Sequence, residues 1–470
     1  MTSLGAVILA AGQGQRMHSD TPKVLHKLAG MSMLDYVFKS VLELKLDYLA
    51  LVVNPSIRPH LFDQFEILTT TEGEKKGFEL LEQSSPTGTA DAVKIAEMFF
   101  KDRVDHLLVI GSDCPLITSN SLQQLIDFHI NEDNRISLLS SSSCSSDDMG
   151  AISRDSNGVI NSVKERKHSS GSDHNEVPPE LNAGIYCFNN LWLWDQLKTI
   201  KRASTGEFHL PDLIATAYAQ KQPARSFEPS DPMEIFGVNT MGQLAQAESL
   251  IYQRHNQALM DKGVRIHDPA SVFIDSTAEI SSSAEIKSNT IIEGLSHVGS
   301  KTVIGPNSNI ADSAIGEESC FENSSCVDVI IGKNVSVGPY CHLRPGTDVE
   351  DDVVIGTGAE IKNSEIGKRS RIHHFSYIGD CEIGSDVNVG AGTVTCNYDG
   401  KEKHKTVIRD GAFIGSGSML VAPVVIGRKA TIGAGSVVVK DVPEETLVYG
   451  VPAAIHKEKP TNSPDGDHNA

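Results

Sequence analysis

An aliphatic residue followed directly by glycine recurs through the second half of the chain. Several successive pairs lie six residues apart, and others lie twelve or eighteen apart. A period of six matches neither the helix period nor the alternation of a simple strand. It predicts the hexapeptide repeat of a left-handed parallel β-helix, in which each aliphatic side chain points inward and the glycine permits a tight corner. The pairs begin at Val298, Ile304, Ile315, Ile331, Val337, Ile355, Ile366, Ile378, Ile383, Val389, Ile414, Ile426 and Ile432.

Composition restricts what the rest of the chain does. A length of 470 residues predicts two or three domains, and a formal net charge of −20 argues against nucleic acid as the main partner. The eight cysteines contain no CxxC pair, which is typical of reduced thiols in the cytoplasm. No apolar run approaches the ~20 residues that cross a bilayer, so we expect neither a signal peptide nor a membrane partner.

The N-terminal half alternates short apolar runs with helical patterns. Residues 5–11, 49–53, 67–70 and 107–110 have the length and composition of strands, and residues 91–100 and 122–130 have helical spacing. This alternation predicts a Rossmann-like α/β domain with a mostly parallel sheet over residues 1–239. A helical pattern at 240–263 predicts a linker helix, followed by the solenoid at 264–457 and a disordered tail at 458–470.

A glycine-rich turn follows the first predicted strand. Gly12 and Gly14 allow the backbone N–H groups to surround a phosphate, while the spacing excludes both the dinucleotide fingerprint and the Walker A loop. Arg16 and Lys23 follow closely, and two cations beside a phosphate-binding turn suit a triphosphate whose charge rises at the transition state. Asp113 ends another apolar strand, where a carboxylate is placed to hold Mg²⁺.

These segments resemble the sugar-nucleotide pyrophosphorylases, whose LAAGxGxRM…PKxL pattern is complete here. The resemblance implies catalytic roles for Arg16 and Lys23, and a magnesium site at Asp113 and Asn239. Gln83 departs from the family's usual leucine-glycine context, and Ser112 stands where many relatives place glycine. The implied contacts to UTP or the nucleotide sugar are Leu9, Ala10, Ala11, Gly12, Lys23, Gln83, Gly88, Thr89, Gly111, Ser112, Asp113, Gly150, Glu165, Asn182 and Asn239.

The solenoid repeat contains two irregular segments. One coil contains His373, His374 and Tyr377 where small or aliphatic residues are expected, and residues 397–405 depart from the period with three lysines. A regular hexapeptide solenoid serves equally well as a spacer or a trimerisation module. Excursions of this kind usually lie on a binding face, so the irregular coils favour a site.

With both halves in this order, the chain resembles the bacterial bifunctional N-acetylglucosamine-1-phosphate uridylyltransferases/glucosamine-1-phosphate N-acetyltransferases. The resemblance implies that His374 is the general base of acetyl transfer, with Glu360 orienting it, and that His373 is structural. The implied sugar-phosphate contacts are Arg344, Lys362, Tyr377, Asn388, Asn397 and Tyr398, and the implied acetyl-CoA contacts are Ala391, Ser416 and Ala434.

One position departs from that family. The family commonly places an arginine that reaches coenzyme A phosphate before a Val-Pro pair, and this chain has Gly450 there. Arg428, Lys429 or Lys440 would then supply the missing charge, or acetyl-CoA would bind more weakly.

The resemblance therefore predicts a cytoplasmic homotrimer that uses Mg²⁺, acetyl-CoA, glucosamine 1-phosphate and UTP to make UDP-N-acetylglucosamine for cell-wall synthesis. Two alternatives remain. The solenoid is a trimerisation scaffold behind a monofunctional nucleotidyltransferase, or the whole chain is a non-catalytic assembly subunit.

Overall fold

The structure is a computed structural model that describes residues 2–12, 14–61, 77–85, 87–143, 149–164, 180–203 and 206–458. It divides into two compact units, residues 1–251 and 252–470. The strand expected at 67–70 and most of the predicted tail lie outside the described residues.

The first unit is built on a twisted, mostly parallel sheet. Strand β1 lies between β4 and β6 and pairs with both in parallel, with Val7 opposite Ala50 and Val109. Because helices cover both faces of this sheet, β1 is buried along nearly its whole length, which explains its continuous apolar run. The order is β11-β7-β10-β6-β1-β4-β5, with β8 paired to β10 and β9 paired to β8. Strand β10 is antiparallel to both of its neighbours in this order, β6 and β7. The strands are β1 (Leu4–Ala10), β2 (Lys27–Leu28), β3 (Met31–Ser32), β4 (Tyr48–Val53), β5 (Gly77–Glu82), β6 (His106–Gly111), β7 (Ile136–Ser141), β8 (Ala151–Arg154), β9 (Ile160–Lys164), β10 (Leu181–Asn189) and β11 (Arg225–Phe227).

Helix boundaries follow local capping chemistry. Ser32 and Asp35 form a capping box that starts α1, and Thr118 caps α4 by accepting from the N–H of Ser121. The single helix predicted at 91–100 is wrong, because the chain tightens at Ala96 and forms two short helices. The helices are α1 (Met33–Leu42), α2 (Thr89–Ile95), α3 (Glu97–Phe100), α4 (Ser119–Asn131), α5 (Asn190–Leu197), α6 (Asp212–Ala219) and α7 (Met241–Asp261), with 3₁₀ turns at Gln15–Met17, Lys23–Leu25, Arg58–His60 and Pro232–Ile235.

The second unit is the predicted left-handed parallel β-helix, a triangular solenoid with three walls of short stacked strands. Wall 1 contains Arg265–Ile266, Glu285–Ile286, Val303–Ile304, Cys320–Phe321, Ser336–Val337, Val354–Ile355, Arg371–Ile372, Asn388–Val389, Phe413–Ile414, Thr431–Ile432, Thr446–Gly450 and Ala453–Glu458. Wall 2 contains Phe273–Ile274, Ile291–Glu293, Asn309–Ala311, Ser325–Val327, His342–Leu343, Glu360–Lys362, Tyr377–Gly379, Val394–Cys396, Met419–Val421 and Val437–Val438. Wall 3 contains Glu279–Ile280, His297–Val298, Ala314–Ile315, Val329–Ile331, Thr347–Val349, Glu365–Ile366, Cys381–Ile383, Thr406–Ile408 and Val424–Ile426.

The core of the solenoid is a column of inward aliphatic residues. On wall 1, Ile372, Val389 and Ile414 stack in register, and each is almost completely buried. The glycine that follows is required by the stacking itself. A side chain at Gly415 would place its Cβ 2.4 Å from the backbone nitrogen of Ala434 in the next coil. The aliphatic-glycine pair therefore encodes both the inward face and the close approach of neighbouring coils.

The described strands of the solenoid continue beyond the aliphatic-glycine pairs at both ends. The first strand begins at Arg265, before the clear hexapeptides, and the last coil ends in an antiparallel hairpin, Thr446–Gly450 with Ala453–Glu458. The excursion from the period is confirmed, because residues 397–405 separate two strands of successive walls. Among the described helices, none is long and apolar enough to cross a bilayer.

Candidate functional site

The turn after β1 packs closely against Lys23. Gly14 has φ +61°, and a Cβ there would lie 2.4 Å from the Cβ of Lys23, so only glycine fits. The turn is also fixed to the end of β6, because Ser112 donates both its N–H and its hydroxyl to the carbonyl of Leu9, at 3.1 and 2.9 Å. The serine that replaces the family glycine is thus bonded within the site.

Lys23 joins the two residues expected to bind the metal. Its Nζ lies 2.9 Å from Oδ2 of Asp113 and 2.7 Å from Oδ1 of Asn239. The Lys23 side chain is only 10% exposed, whereas the Asp113 side chain is 39% exposed. Burial raises the pKa of Asp113, but Lys23 and the more distant charge of Arg16 lower it below its ordinary value, which keeps the carboxylate ionised.

The backbone brings Asn239 to this position. The N–H of Val238 donates to the carbonyl of Asp113 at 2.8 Å. Gln243, in the first turn of α7, accepts from the N–H groups of Asn239 and Thr240 in a capping arrangement. A side chain at Gly111 would collide with the Asp113 carboxylate, which explains the glycine at the end of β6.

The oxygen donors fit Mg²⁺. One carboxylate oxygen and one amide oxygen converge on the same ammonium nitrogen, so a cationic centre already lies between them. Mg²⁺ is commonly held by one or two such protein oxygens, with water and substrate phosphate completing its shell. Consistent with this small donor set, the described residues contain no cluster of three or more acidic, histidine or cysteine ligands.

The segment expected to read the base is internally bonded. Gln83 is buried, and its amide donates to the carbonyl of Gly88 and to Asp91. Gly88 has φ +111°, and a Cβ would lie 2.4 Å from the carbonyl oxygen of Phe208. The hydroxyl of Thr89 accepts from the N–H of Leu210. Asp91, which the sequence did not single out, fixes the orientation of the Gln83 amide.

The residues expected to contact the sugar lie where β8 meets β10. The N–H of Asn182 donates to the carbonyl of Gly150 at 2.9 Å. The Asn182 amide donates to the hydroxyl of Tyr186 at 2.7 Å, a buried partner that sequence reasoning missed. Glu165 lies outside the described residues.

In the solenoid, one corner between walls 1 and 2 contains several predicted site residues in a line. The inward residues Ile372, Val389, Ile414, Ile432 and Val448 are in continuous register. Two positions after each of them lie His374, Ala391, Ser416, Ala434 and Gly450, which we call the corner row. The expected base and the expected acetyl-CoA contacts therefore occupy successive coils, and Gly450 occupies the next position.

His374 lies against the coil that precedes it. Its Nδ1 would be 3.0 Å from a Cβ at Gly356, so only glycine leaves room for the imidazole. Among the described residues, no hydrogen bond joins His374 to Glu360, because Glu360 accepts one from Arg344 at 2.9 Å instead. The orienting role predicted for Glu360 is therefore wrong in this conformation.

Wall 2 also gathers cations. Arg344 and Lys362 follow inward residues of neighbouring strands, and Lys403 from the long loop lies next to Lys362. Lys403 lowers the pKa of Lys362 and Arg344 adds to the effect, because neighbouring cations disfavour a further positive charge; Asp380 partly opposes the shift. The sequence noted the lysines of this loop but did not identify Lys403 as the one that reaches Lys362.

The long loop also brings Asn397 to Tyr377. A Cβ at Gly379 would lie 2.6 Å from the Tyr377 hydroxyl and 2.8 Å from the Asn397 amide nitrogen, so both side chains approach the same glycine. Asp380 accepts a short hydrogen bond from Asn397 and fixes the start of the loop. Tyr398 is exposed on the loop beyond them.

Asn388 does not join this group. It lies on wall 1, where its side-chain oxygen is 3.0 Å from Nε2 of His373, whereas Tyr377 lies on wall 2. A single copy of the chain therefore brings together Arg344, Lys362, Tyr377 and Asn397, but not Asn388.

Comparison with known proteins agrees with the division of the chain into two units. The family profile "Nucleotidyl transferase" matches residues 5–233, and the profile "Bacterial transferase hexapeptide (six repeats)" matches residues 328–363, 363–397 and 405–440. The chain is 41% identical over 457 residues to the bifunctional protein GlmU of Streptococcus pyogenes serotype M5, with 96% of each chain covered. It is 39% identical over 454 residues to the bifunctional protein GlmU of Streptococcus uberis, again with 96% of each chain covered. The bifunctional protein GlmU of Syntrophomonas wolfei is 40% identical over 445 residues, 94% of this chain and 96% of that relative.

Proposed function

This chain belongs to the family of bifunctional GlmU proteins, and we propose that it catalyses two consecutive steps of UDP-N-acetylglucosamine synthesis. The solenoid transfers acetyl from acetyl-CoA to glucosamine 1-phosphate. The first unit then couples N-acetylglucosamine 1-phosphate to UTP and releases pyrophosphate. The observation that carries the proposal is that Lys23, Asp113 and Asn239 converge in the first unit, while His374 heads the corner row in the second.

In uridylyl transfer the sugar phosphate attacks the α-phosphorus of UTP in line. The reaction needs positioning and charge stabilisation rather than a covalent intermediate. The turn after β1 and Arg16 would hold the triphosphate, and Lys23 would neutralise charge that develops in the transition state. Mg²⁺, bound by Asp113 and Asn239, would neutralise further phosphate charge. The lowered pKa of Asp113 keeps its carboxylate available for the metal at neutral pH.

In acetyl transfer the amino group of glucosamine 1-phosphate must lose a proton before it attacks the thioester. Nδ1 of His374 faces Gly356 of the preceding coil, so we expect Nε2 to accept this proton. The adjacent Ala391 offers a backbone N–H that makes no hydrogen bond within the described chain. This N–H would stabilise the oxyanion of the tetrahedral intermediate. Arg344, Lys362 and Lys403 would bind the sugar phosphate.

We further propose that the protein is a homotrimer of the cytoplasm. Asn388 lies on wall 1, so it reaches a sugar bound at Tyr377 only if a second copy supplies it. The outer face of wall 2 also exposes Val327, Val421 and Val439, a surface suited to contact with another solenoid. The cysteines of the described chain form no disulfide, in keeping with a reducing compartment.

An omission assay tests the proposed function. The purified protein is incubated with glucosamine 1-phosphate, acetyl-CoA, UTP and Mg²⁺, and each component is left out in turn. Free thiol reports acetyl transfer, and pyrophosphate reports uridylyl transfer. We expect thiol release without UTP, and pyrophosphate release only when UTP and Mg²⁺ are both present. Pyrophosphate release from added N-acetylglucosamine 1-phosphate, with no thiol release under any condition, would favour the monofunctional alternative, for which Gly450 is the one supporting feature.

A further inference from the structure

The final coil of the solenoid differs from the others because it ends in a hairpin. Val448 pairs with Ile432 of the preceding coil, so Gly450 extends the corner row beyond Ala434. In the hairpin, Leu447 pairs with Lys457 and Val448 pairs with Ile455, which leaves His456 as an extra residue in a β-bulge. A bulge of this kind redirects a side chain out of the regular alternation.

The bulge places the His456 ring on the ring of Tyr449. The two rings are nearly parallel, at 13°, with centroids 3.6 Å apart. Tyr449 nevertheless remains 45% exposed, and His456 is exposed as well. The base of the tyrosine side chain packs closely on the preceding coil, because a Cβ at Gly433 would lie 2.7 Å from the Cβ of Tyr449. The pair is therefore an aromatic surface that the protein leaves open to solvent.

This aromatic surface lies at one end of a line of backbone positions, and the other end of that line is beside the expected base, His374. The positions just before the corner row are His373, Gly390, Gly415, Gly433 and Tyr449. No side chain is present between His373 and Tyr449 along this line. Adjacent coils are about 4.8 Å apart, so the coil of Tyr449 lies roughly 19 Å from the coil of His374. An extended thioester with its acetyl group at His374 would lie along this line and reach the stacked rings.

We propose that the Tyr449–His456 stack binds the adenine ring of coenzyme A. A planar base gains from stacking on an exposed aromatic face regardless of its hydrogen-bonding pattern. Gly450 leaves the space next to this face free of any side chain, and its own Cβ would approach only the carbonyl of Pro452, at 3.3 Å. This subsite rests on the proposed acetyl transfer, and it assigns recognition of the nucleotide end to ring stacking.

Two acetyl donors test the subsite. Acetyl-CoA and acetyl-pantetheine have the same thioester, but only acetyl-CoA has the nucleotide. With acetyl-CoA, we expect Tyr449→Ala and His456→Ala to raise KM roughly tenfold, the lower range for loss of one base stack, with kcat unchanged. With acetyl-pantetheine, both variants should match the wild type. Tyr449→Phe retains the ring and should stay within about twofold, as should Val451→Ala, an exposed change in the same hairpin.

The outcomes separate this subsite from the proposed function. Equal losses with both donors would mean that the stack only stabilises the hairpin, and no loss with either donor would mean that the nucleotide binds elsewhere; both overturn the subsite. If the wild type transfers acetyl from neither donor, the proposed function fails. Calorimetric titration with coenzyme A itself still decides the subsite in that case, because Tyr449→Ala must weaken binding while Val451→Ala must not.

Discussion

The first unit assembles its charged site within one chain, whereas the solenoid distributes its site residues over two walls and a corner. Lys23, Asp113 and Asn239 come from three segments far apart in the sequence, and Asp113 lies just beyond the carboxyl end of β6. In the solenoid, Asn388 and Tyr377 belong to different walls of successive coils, and no loop brings them together.

The difference follows from how the two folds place side chains. An α/β sheet collects loops of variable length at one edge, so distant residues reach a common point. A solenoid repeats one short coil, so its residues are arranged in straight rows and a concave site forms mainly between copies. We therefore expect uridylyl transfer to be a property of one chain and acetyl transfer to be a property of the assembly.

The largest expected effect is at the corner row. His374→Ala should lower acetyl transfer by about 10²–10⁴-fold, because a general base contributes that much, and uridylyl transfer should be retained. Thiol and pyrophosphate release measure the two rates on the same preparation. His297→Ala is the matched control and should change acetyl transfer only slightly, since His297 is exposed on wall 3, away from the corner row. Equal loss of both activities in His374→Ala would contradict the assignment.

The second prediction concerns a substitution in the first unit that should affect uridylyl transfer alone. Asp113→Asn retains the shape of the side chain but removes the charge that pairs with Lys23 and binds the metal. We expect uridylyl transfer to fall by about 10²–10³-fold, as when a transition-state charge contact is removed, with acetyl transfer unchanged. The apparent Mg²⁺ requirement, read from pyrophosphate release, should also shift to higher concentration. An unchanged Mg²⁺ dependence would place the metal elsewhere.

A charged substitution on wall 2 tests whether acetyl transfer requires assembly of the trimer. Val421→Lys places an ammonium on the exposed apolar face, and burying it at an interface costs several kcal/mol. Acetyl transfer should drop by at least about tenfold, and sedimentation should show a smaller species, while uridylyl transfer persists. Ile330→Lys makes the same change on exposed wall 3 and should leave both properties intact. Trimers that persist in Val421→Lys would exclude this face as the interface.

The last prediction concerns the acid stability of the first unit. His129 is fully buried against His106, and burial lowers its pKa to about 3, with His106 adding to the effect. The unfolded chain binds this proton below about pH 6.5, but the folded chain does not until about pH 3. The free energy of unfolding should therefore fall by about 1.4 kcal/mol per pH unit across that window.

Fluorescence of Trp192 and Trp194 isolates this measurement, because both tryptophans lie in α5 of the first unit. Urea unfolding at several pH values gives the slope. In His129→Leu the contribution of this histidine disappears, so the dependence between pH 6 and 4 should become shallower. An identical slope in the variant would show that other groups control acid unfolding.

Much of both folds could be predicted from local patterns. The aliphatic-glycine pairs specify the solenoid because each pair performs two local tasks, and the phosphate-binding turn is specified by Gly14 and its close contact with Lys23. The division of residues 91–100 into two helices was missed because Ala96 has high helix propensity, and the tightening there comes from surrounding packing rather than from the residue itself.

Side-chain partners were harder to predict than the residues themselves. Glu360 pairs with Arg344 rather than with His374. This pairing depends on which residues share a wall, and wall membership depends on the exact length of each coil. Asp91 and Tyr186 support predicted site residues through single hydrogen bonds that have no sequence signature. The contact of Lys403 with Lys362 likewise depends on the path of a loop that lies outside the repeat.

Stacked coils also determine where the solenoid opens first. Each coil is stabilised mainly by its neighbours. The last coil has the strand Thr431–Ile432 on one side and only its own hairpin strand, Ala453–Glu458, on the other, so we expect it to fray more readily than the coil of His374. A coenzyme that extends from the coil of His374 to the terminal hairpin would contact both the stable coils and the fraying one. Its binding would therefore suppress the fraying. Hydrogen exchange of the amides in Thr446–Gly450 would then slow on addition of coenzyme A, while exchange in the central coils would hardly change.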